Sequence, residues 1–179
     1  MQPLVRMRSI TKRFGPVTVL DSVDFDIHAG EVHILAGENG AGKSTLIKIL
    51  GGVHAPSGGT IELNGAEVRP RSPLQANGLG ISVIYQELSL VPAMSVADNI
   101  YLGRSLTGAG GFVRAGDQRR QARELLERLG LSDIGVDVAV ERLPIAARQM
   151  VEIAKALAQD AKVIVMDEPT SSLPAPDVE

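Results

Sequence analysis

Along the first third of the chain, apolar residues alternate with polar ones or gather in short runs, the pattern of strands. Val5 and Met7 alternate with charged neighbours and continue to Ser9. Val17–Leu20 and Val23–Ile27 follow, and Ala29-Gly30 marks a turn, so residues 4–33 are expected to be strand-rich. Val32, Ile34, Leu35 and Ala36 predict a short buried strand, and Leu46, Ile47, Ile49 and Leu50 the apolar face of a helix. Residues 56–70 predict a hairpin, with Pro56-Ser57-Gly58-Gly59 turning, Thr60–Leu63 extended and Asn64-Gly65 turning again. Leu79–Tyr85 is apolar enough for a buried strand.

From about Ser95 to Gln159 the period changes to helical. Ala122, Leu125, Leu126 and Leu129 share one face, which Gly130 is placed to end. Met150, Ile153, Ala154 and Leu157 form a second stripe, and Gly108–Gly111 is a flexible loop between them. Val163–Met166 is too short for a helix and predicts a strand. The order is strands, a strand–loop–helix unit, a strand, helices and a strand. It implies an α/β core with helices inserted over about 95–159.

Composition narrows the function classes. The 179 residues are 44% hydrophobic and 22% charged, as in an ordinary globular domain. A net charge of −3 gives no electrostatic case for nucleic acid as a partner. The chain has no cysteine, which excludes disulfides, zinc thiolate sites and cysteine nucleophiles. No apolar stretch approaches the roughly 20 residues of a membrane span, so any membrane role is expected to run through a partner. His28, His33 and His54 lack metal-ligand spacing and read as surface or structural histidines. The charges of Arg119–Glu124 read as one solvated helix face.

The chemistry concentrates in Gly37-Glu38-Asn39-Gly40-Ala41-Gly42-Lys43-Ser44-Thr45, which fits the phosphate-binding loop G-x-x-x-x-G-K-[ST]. The glycines let backbone N–H groups turn around phosphate, and the helix that follows adds unpaired donors and a partial positive charge. Lys43 would reach the β- and γ-phosphates and Ser44 would bind Mg²⁺. Val163–Met166 followed by Asp167 and Glu168 has the form of a Walker B motif. Asp167 would hold Mg²⁺. Glu168 would act as general base or position the attacking water.

Four ordered segments carry a resemblance that covers essentially the whole chain: LAGENGAGKSTL (35–46), VIYQELSLVP (83–92), MVEIAKAL (150–157) and MDEPTSSL (166–173). Together they resemble the ATP-binding subunits of ABC transporters, and most of all the bacterial importers of ribose, xylose, galactose and similar small polyols. The resemblance implies a P-loop ABC ATPase core with an N-terminal antiparallel β subdomain and an inserted helical subdomain. Residues 1–179 would form a single, incomplete nucleotide-binding domain. It implies ATP and Mg²⁺ as ligands, with Gly37, Asn39, Gly40, Ala41, Gly42, Lys43, Ser44 and Thr45 around the phosphates and Phe14 stacked on adenine. Gln86 would touch Mg²⁺ and the attacking water and sense the transmembrane partner, and Ser171-Ser172-Leu173 would be the D-loop between two ATP sites. Glu168, Gln86 and Lys43 would carry catalysis. Implied partners are permease subunits, through them a sugar-binding protein, and a second nucleotide-binding half. The implied location is the cytoplasmic face of the inner membrane.

The chain departs from the family pattern twice. The signature segment, usually close to LSGGQ, reads Leu143-Pro144-Ile145-Ala146-Ala147. Proline offers neither N–H nor hydroxyl, so a weak grip on an opposing ATP is expected. The chain also ends at Glu179, before the further strand and switch histidine that the family requires. The missing strand would leave unpaired edges in the sheet, at about 1–3 kcal/mol per buried unpartnered group. The expectation is an N-terminal piece of a longer protein or the product of a truncated gene. Two other readings stand beside the importer ATPase: a nucleotide-binding fragment without turnover, and a soluble ABC ATPase. A small-molecule kinase fits the Gln86 and Asp167-Glu168 context poorly.

Overall fold

Strand β1 (Val5–Phe14) is the spine of the N-terminal unit, which spans Met1–Ile81. The computed structural model describes residues 2–107 and 111–167. β1 pairs antiparallel with β2 (Val17–Ile27) on one side and with β3 (Gly58–Leu63) on the other. β4 (Ala66–Val68) extends the sheet to the order β2-β1-β3-β4. Val5 and Met7 are fully buried, as the alternation predicts. The alternation then slips by one residue. Ser9 adopts φ 48 and is exposed, and Ile10 takes the next buried position.

The slip is a bulge felt on both sides, with register shifts after Met7 against β2 and after Arg8 against β3. Gly59 faces it at φ 92, where a Cβ would sit 2.5 Å from the carbonyl oxygens of both Arg8 and Ser9. Only glycine fits there. Near the bulge the Arg8 guanidinium holds the Asp26 carboxylate through two bonds of 2.7 and 2.6 Å. The β3–β4 turn matches its prediction. Asn64 (φ 51) and Gly65 (φ 77) give the two positive φ values of a tight hairpin.

Helix α1 (Lys43–Leu50) buries Leu46, Ile47, Ile49 and Leu50, as expected. Helix α2 (Pro73–Gly78) was not foreseen. Ser72 caps it by accepting from the Gln75 N–H at 3.2 Å, and Pro73 opens it.

The expectation of a buried strand over Val32–Ala36 is wrong. The segment is not a strand, and Val32 and Ile34 are 95% and 81% exposed. A strand is defined by its ladder, and none of the described strands pairs with these residues. Strand-like composition alone does not supply that ladder.

The second unit, Ser82–Glu179, contains helices and a small sheet. Strands β5 (Ile81–Ile84) and β6 (Val163–Met166) pair, and the ladder runs on to the Asp167 N–H, which donates to the Ile84 carbonyl at 3.0 Å. β6 is the strand predicted for these residues, with Val163 covered and Met166 41% exposed. Helices α3 (Val96–Ile100), α4 (Ala115–Arg128) and α5 (Ile145–Ala158) enclose a core that includes Val96, Ile100, Leu126, Val140 and Val151.

Ala122, Leu125 and Leu126 are buried on α4 as predicted. Gly130, at φ 71, closes the helix, with the Leu131 N–H returning to the Leu126 carbonyl at 2.9 Å. The stripe predicted for α5 needs correction. Its buried residues are Val151, Glu152, Ala154 and Ala156, whereas Met150 and Ile153 are half-buried and Leu157 is exposed. α5 is apolar on most of its circumference, so period alone does not identify the inward face. In the rotation adopted, the charged Glu152 is buried and accepts a hydrogen bond from the Ser89 N–H.

Candidate nucleotide-binding site

The phosphate-loop geometry lies within the N-terminal unit. Gly40 and Gly42 take φ 85 and φ 90, and the Ala41 N–H closes a turn on the Glu38 carbonyl at 3.2 Å. Gly42 is also the residue that caps α1. A Cβ there would lie 2.6 Å from Leu20 Cδ2 and 3.1 Å from the Val19 carbonyl oxygen. The loop is therefore seated directly on β2, and glycine is required for both its φ and its contact. Among the described residues no side chain caps α1, and its first turn holds no acid, which favours an anion at its N–H groups. Lys43 folds back over the loop, donating to the Gly37 and Glu38 carbonyls at 2.6 and 2.9 Å. An ammonium carries three donors, and these two bonds leave one to face outward.

Phe14 ends β1 at the tip of the β1–β2 hairpin and is 44% exposed. The His54 ring meets it edge-on at 5.3 Å and the Lys12 ammonium lies 4.9 Å from its centre. His33, by contrast, rests on Glu31 at 3.2 Å and edge-on against Phe25 at 4.8 Å. The backbone N–H of His28, with the His33 ring adding to it, holds the Glu31 carboxyl below its ordinary range.

In the second unit Gln86 and Asp167 come to the same end of the β5–β6 pair. Asp167 is bonded through its N–H to Ile84, two residues before Gln86. The Tyr85 hydroxyl is buried without a hydrogen-bond partner among the described residues, and burial raises its pKa, with Asp167 adding to the effect. Glu168 and the Ser171-Ser172-Leu173 segment lie outside the described residues. The Ser44 hydroxyl and the Asp167 carboxylate are hard oxygen donors of the kind Mg²⁺ takes. Among the described residues no group of three or more His, Cys, Asp or Glu gathers around a metal position.

The departed signature segment has a definite structure. Pro144 caps α5 in an extended conformation (φ −62, ψ 156) and offers no side-chain bond to the helix. Arg148 reaches back from the first turn, donating to the Leu143 and Glu141 carbonyls at 2.9 and 2.7 Å. Ile145 is 41% exposed at the helix start.

Several residues of this unit escaped the sequence reading. Asn99 is fully buried and bonds Val91, Met94 and Ser95. Glu152, 6% exposed, accepts a short bond from the Ser89 N–H, and Lys155 donates to Ser89 Oγ at 3.0 Å. The one available signal was a charge inside the apolar run Met150–Leu157.

The ABC transporter family model matches residues 20–171. The ribose import ATP-binding protein RbsA 1 of Rubrobacter xylanophilus is 56% identical over 173 residues, 97% of this chain and 34% of the relative. The arabinose import ATP-binding protein AraG 1 of Burkholderia ambifaria is 50% identical over 97% of this chain and 34% of its own length. The chain thus spans about a third of the length of the curated relatives it matches. Among solved structures, an ATP-binding cassette of an ABC transporter in its ADP conformation superposes with a TM-score of 0.81 at 27% identity, covering 97% of this chain and 72% of that one. A nucleotide-free cassette gives 0.79, also at 27% identity, over 96% and 71%. On the family match, the identity to these relatives and the shared fold, this chain belongs to the ABC transporter family, as an α/β P-loop ATPase cassette.

Proposed function

We propose that the chain is part of the ATP-binding and ATP-hydrolysing subunit that powers import of a monosaccharide or similar small polyol through an ABC transporter. One observation carries the reading: an uncapped helix N-terminus behind two left-handed glycines and Lys43, in a chain about half identical to sugar-import ATP-binding proteins over nearly its whole length. Gly37, Asn39, Gly40, Ala41, Gly42, Lys43, Ser44 and Thr45 hold the phosphates, and Phe14 offers its ring to adenine. Ser44, Asp167 and Gln86 hold Mg²⁺, which when bound neutralises charge on the phosphate oxygens. Lys43 adds positive charge at the γ-phosphate, Gln86 orients the attacking water, and Glu168 accepts its proton.

Residues 1–179 belong to one nucleotide-binding domain in this reading, with 95–159 as its helical subdomain. No helix among the described residues is long and apolar enough to cross a membrane. In this reading the similarity to sugar-import ATP-binding proteins supports coupling through permease subunits at the cytoplasmic face of the inner membrane, a sugar-binding protein beyond them, and a second nucleotide-binding half. The test is phosphate release by the full-length protein reconstituted with its permease, with and without sugar-loaded binding protein. Turnover that sugar stimulates and Glu168→Gln abolishes supports the reading.

The signature segment favours a second reading. Pro144 supplies neither the N–H nor the hydroxyl that a γ-phosphate contact uses. Nucleotide binding with no phosphate release, unchanged by Glu168→Gln, would select a binding module without turnover.

A further inference from the structure

Buried carboxylates are rare without a partner, because desolvation of the charge must be offset by hydrogen bonds. Glu152 on α5 is such a carboxylate, and its observed partner is a backbone N–H. It accepts from Ser89, three residues past Gln86. Lys155, one turn further along α5 on the same face, donates to Ser89 Oγ at 3.0 Å and approaches the Ser89 carbonyl at 3.5 Å. Ser89 is thus gripped by its N–H, its hydroxyl and its carbonyl, all from one helix. Two residues on, the Val91 N–H is fixed by Asn99 of α3 at 2.7 Å. On the other side, the chain before Tyr85 is anchored in the β5–β6 ladder at Ile84.

Gln86 therefore sits in a four-residue span, 85–88, between two fixed points. A span this short reaches at most about 14 Å when extended, so moving Ser89 moves Gln86. An apolar residue at position 152 would commonly be as stable or more so. The charge is explained by what it holds.

The geometry points to Glu152, assisted by Lys155, as a positioning residue that sets Gln86 for ATP hydrolysis. α5 starts at the signature segment, and Glu152 lies eight residues beyond Pro144, about 12 Å along a straight helix. A displacement of the helix start is thereby passed to Ser89, and a displacement of Gln86 back to the helix start. The inference rests on the proposed role of Gln86 in orienting the attacking water.

The test is a double-mutant cycle in the full-length protein, read as single-turnover rate and as ATP affinity. Glu152→Ala is expected to slow hydrolysis by about tenfold to a hundredfold, the scale of a small misplacement of a reacting group, with ATP affinity within about twofold. Glu152→Gln keeps an acceptor for the Ser89 N–H and is expected to restore most of the rate. On a Gln86→Ala background, Glu152→Ala is expected to cost nothing further. Hydrogen exchange at residues 86–91 should rise in Glu152→Ala and stay low in Glu152→Gln.

Equal slowing on both backgrounds would show a merely structural role and overturn the proposal, as would an unchanged rate in Glu152→Ala. A silent Gln86→Ala in an active protein would instead remove the role of Gln86, and this inference with it.

Discussion

Asn99→Ala looks like the loss of four hydrogen bonds, yet the structure predicts a cost nearer to that of one. The Asn99 amide accepts from the Val91 N–H at 2.7 Å and donates to the carbonyls of Val91 (3.0 Å), Ser95 (3.0 Å) and Met94 (3.3 Å). All three carbonyls keep a second donor. Met94 N–H serves Val91, Val140 N–H serves Met94, and Asn99's own N–H serves Ser95. Only the Val91 N–H loses its acceptor, at about 1–3 kcal/mol. The small void left by the amide brings the total to roughly 2–4 kcal/mol. A loss of about 2 kcal/mol corresponds to about 30-fold faster exchange where opening is local.

The assay is hydrogen exchange over residues 89–101, which reads this segment directly. Asn99→Asp sharpens the test. It keeps the acceptor for Val91 but brings carboxylate charge against three carbonyl oxygens, so at neutral pH it should be worse than Asn99→Ala. The deficit should narrow in acid, where the carboxyl regains a proton to donate. Wild-type exchange in Asn99→Ala, or Asn99→Asp milder than Asn99→Ala at pH 7, would refute this accounting.

Other outcomes follow from the site. Lys43→Met should weaken ATP binding at least tenfold, measured with a fluorescent ATP analogue, while leaving the unfolding transition unchanged, since among the described residues Nζ bonds only the Gly37 and Glu38 carbonyls of its own loop. Phe14→Ala should weaken ATP by about 5- to 150-fold, the range of one base stack, but leave inorganic triphosphate binding intact; equal weakening of both ligands would remove the stacking role. Gly42→Ala should abolish nucleotide binding and lower stability, because φ 90 and the 2.6 Å approach to Leu20 both oppose a methyl. The Arg8 hydrogen bond and charge hold the Asp26 carboxyl below its ordinary range. A depressed carboxyl stabilises the fold above its unfolded pKa and loses that contribution as pH falls through the folded one. The stability gap between wild type and Arg8→Gln, followed by denaturant titration, should thus be full at pH 6 and close as the pH drops below about 4.

Where fold or site rested on a local rule, it was legible in the sequence. Asn64-Gly65 makes the tight hairpin it predicts, Gly130 ends α4, and Gly40 and Gly42 take the left-handed φ that a glycine-rich turn allows. What depended on a distant partner was not legible. Val32–Ala36 has strand composition, but a ladder needs a neighbour. The bulge at Ser9 is settled by Gly59, fifty residues away. Glu152 and Asn99 are buried because of what Ser89 and Val91 present to them, and no periodicity carries that information. Ser72-Pro73 was the opposite case, a local capping signal that was present and overlooked.

The exposed Val32–Ala36 segment has a practical consequence for handling the protein. Val-His-Ile-Leu-Ala is short, β-prone, free of proline and nearly uncharged at neutral pH. With Val32 and Ile34 facing solvent and no described strand along its backbone, it is a template on which a second molecule can add a strand. Solutions of the 179-residue chain should therefore be colloidally fragile, clouding as concentration rises. A charge introduced at Val32 or Ile34 should act as a gatekeeper, raising solubility without touching the phosphate loop that begins at Gly37.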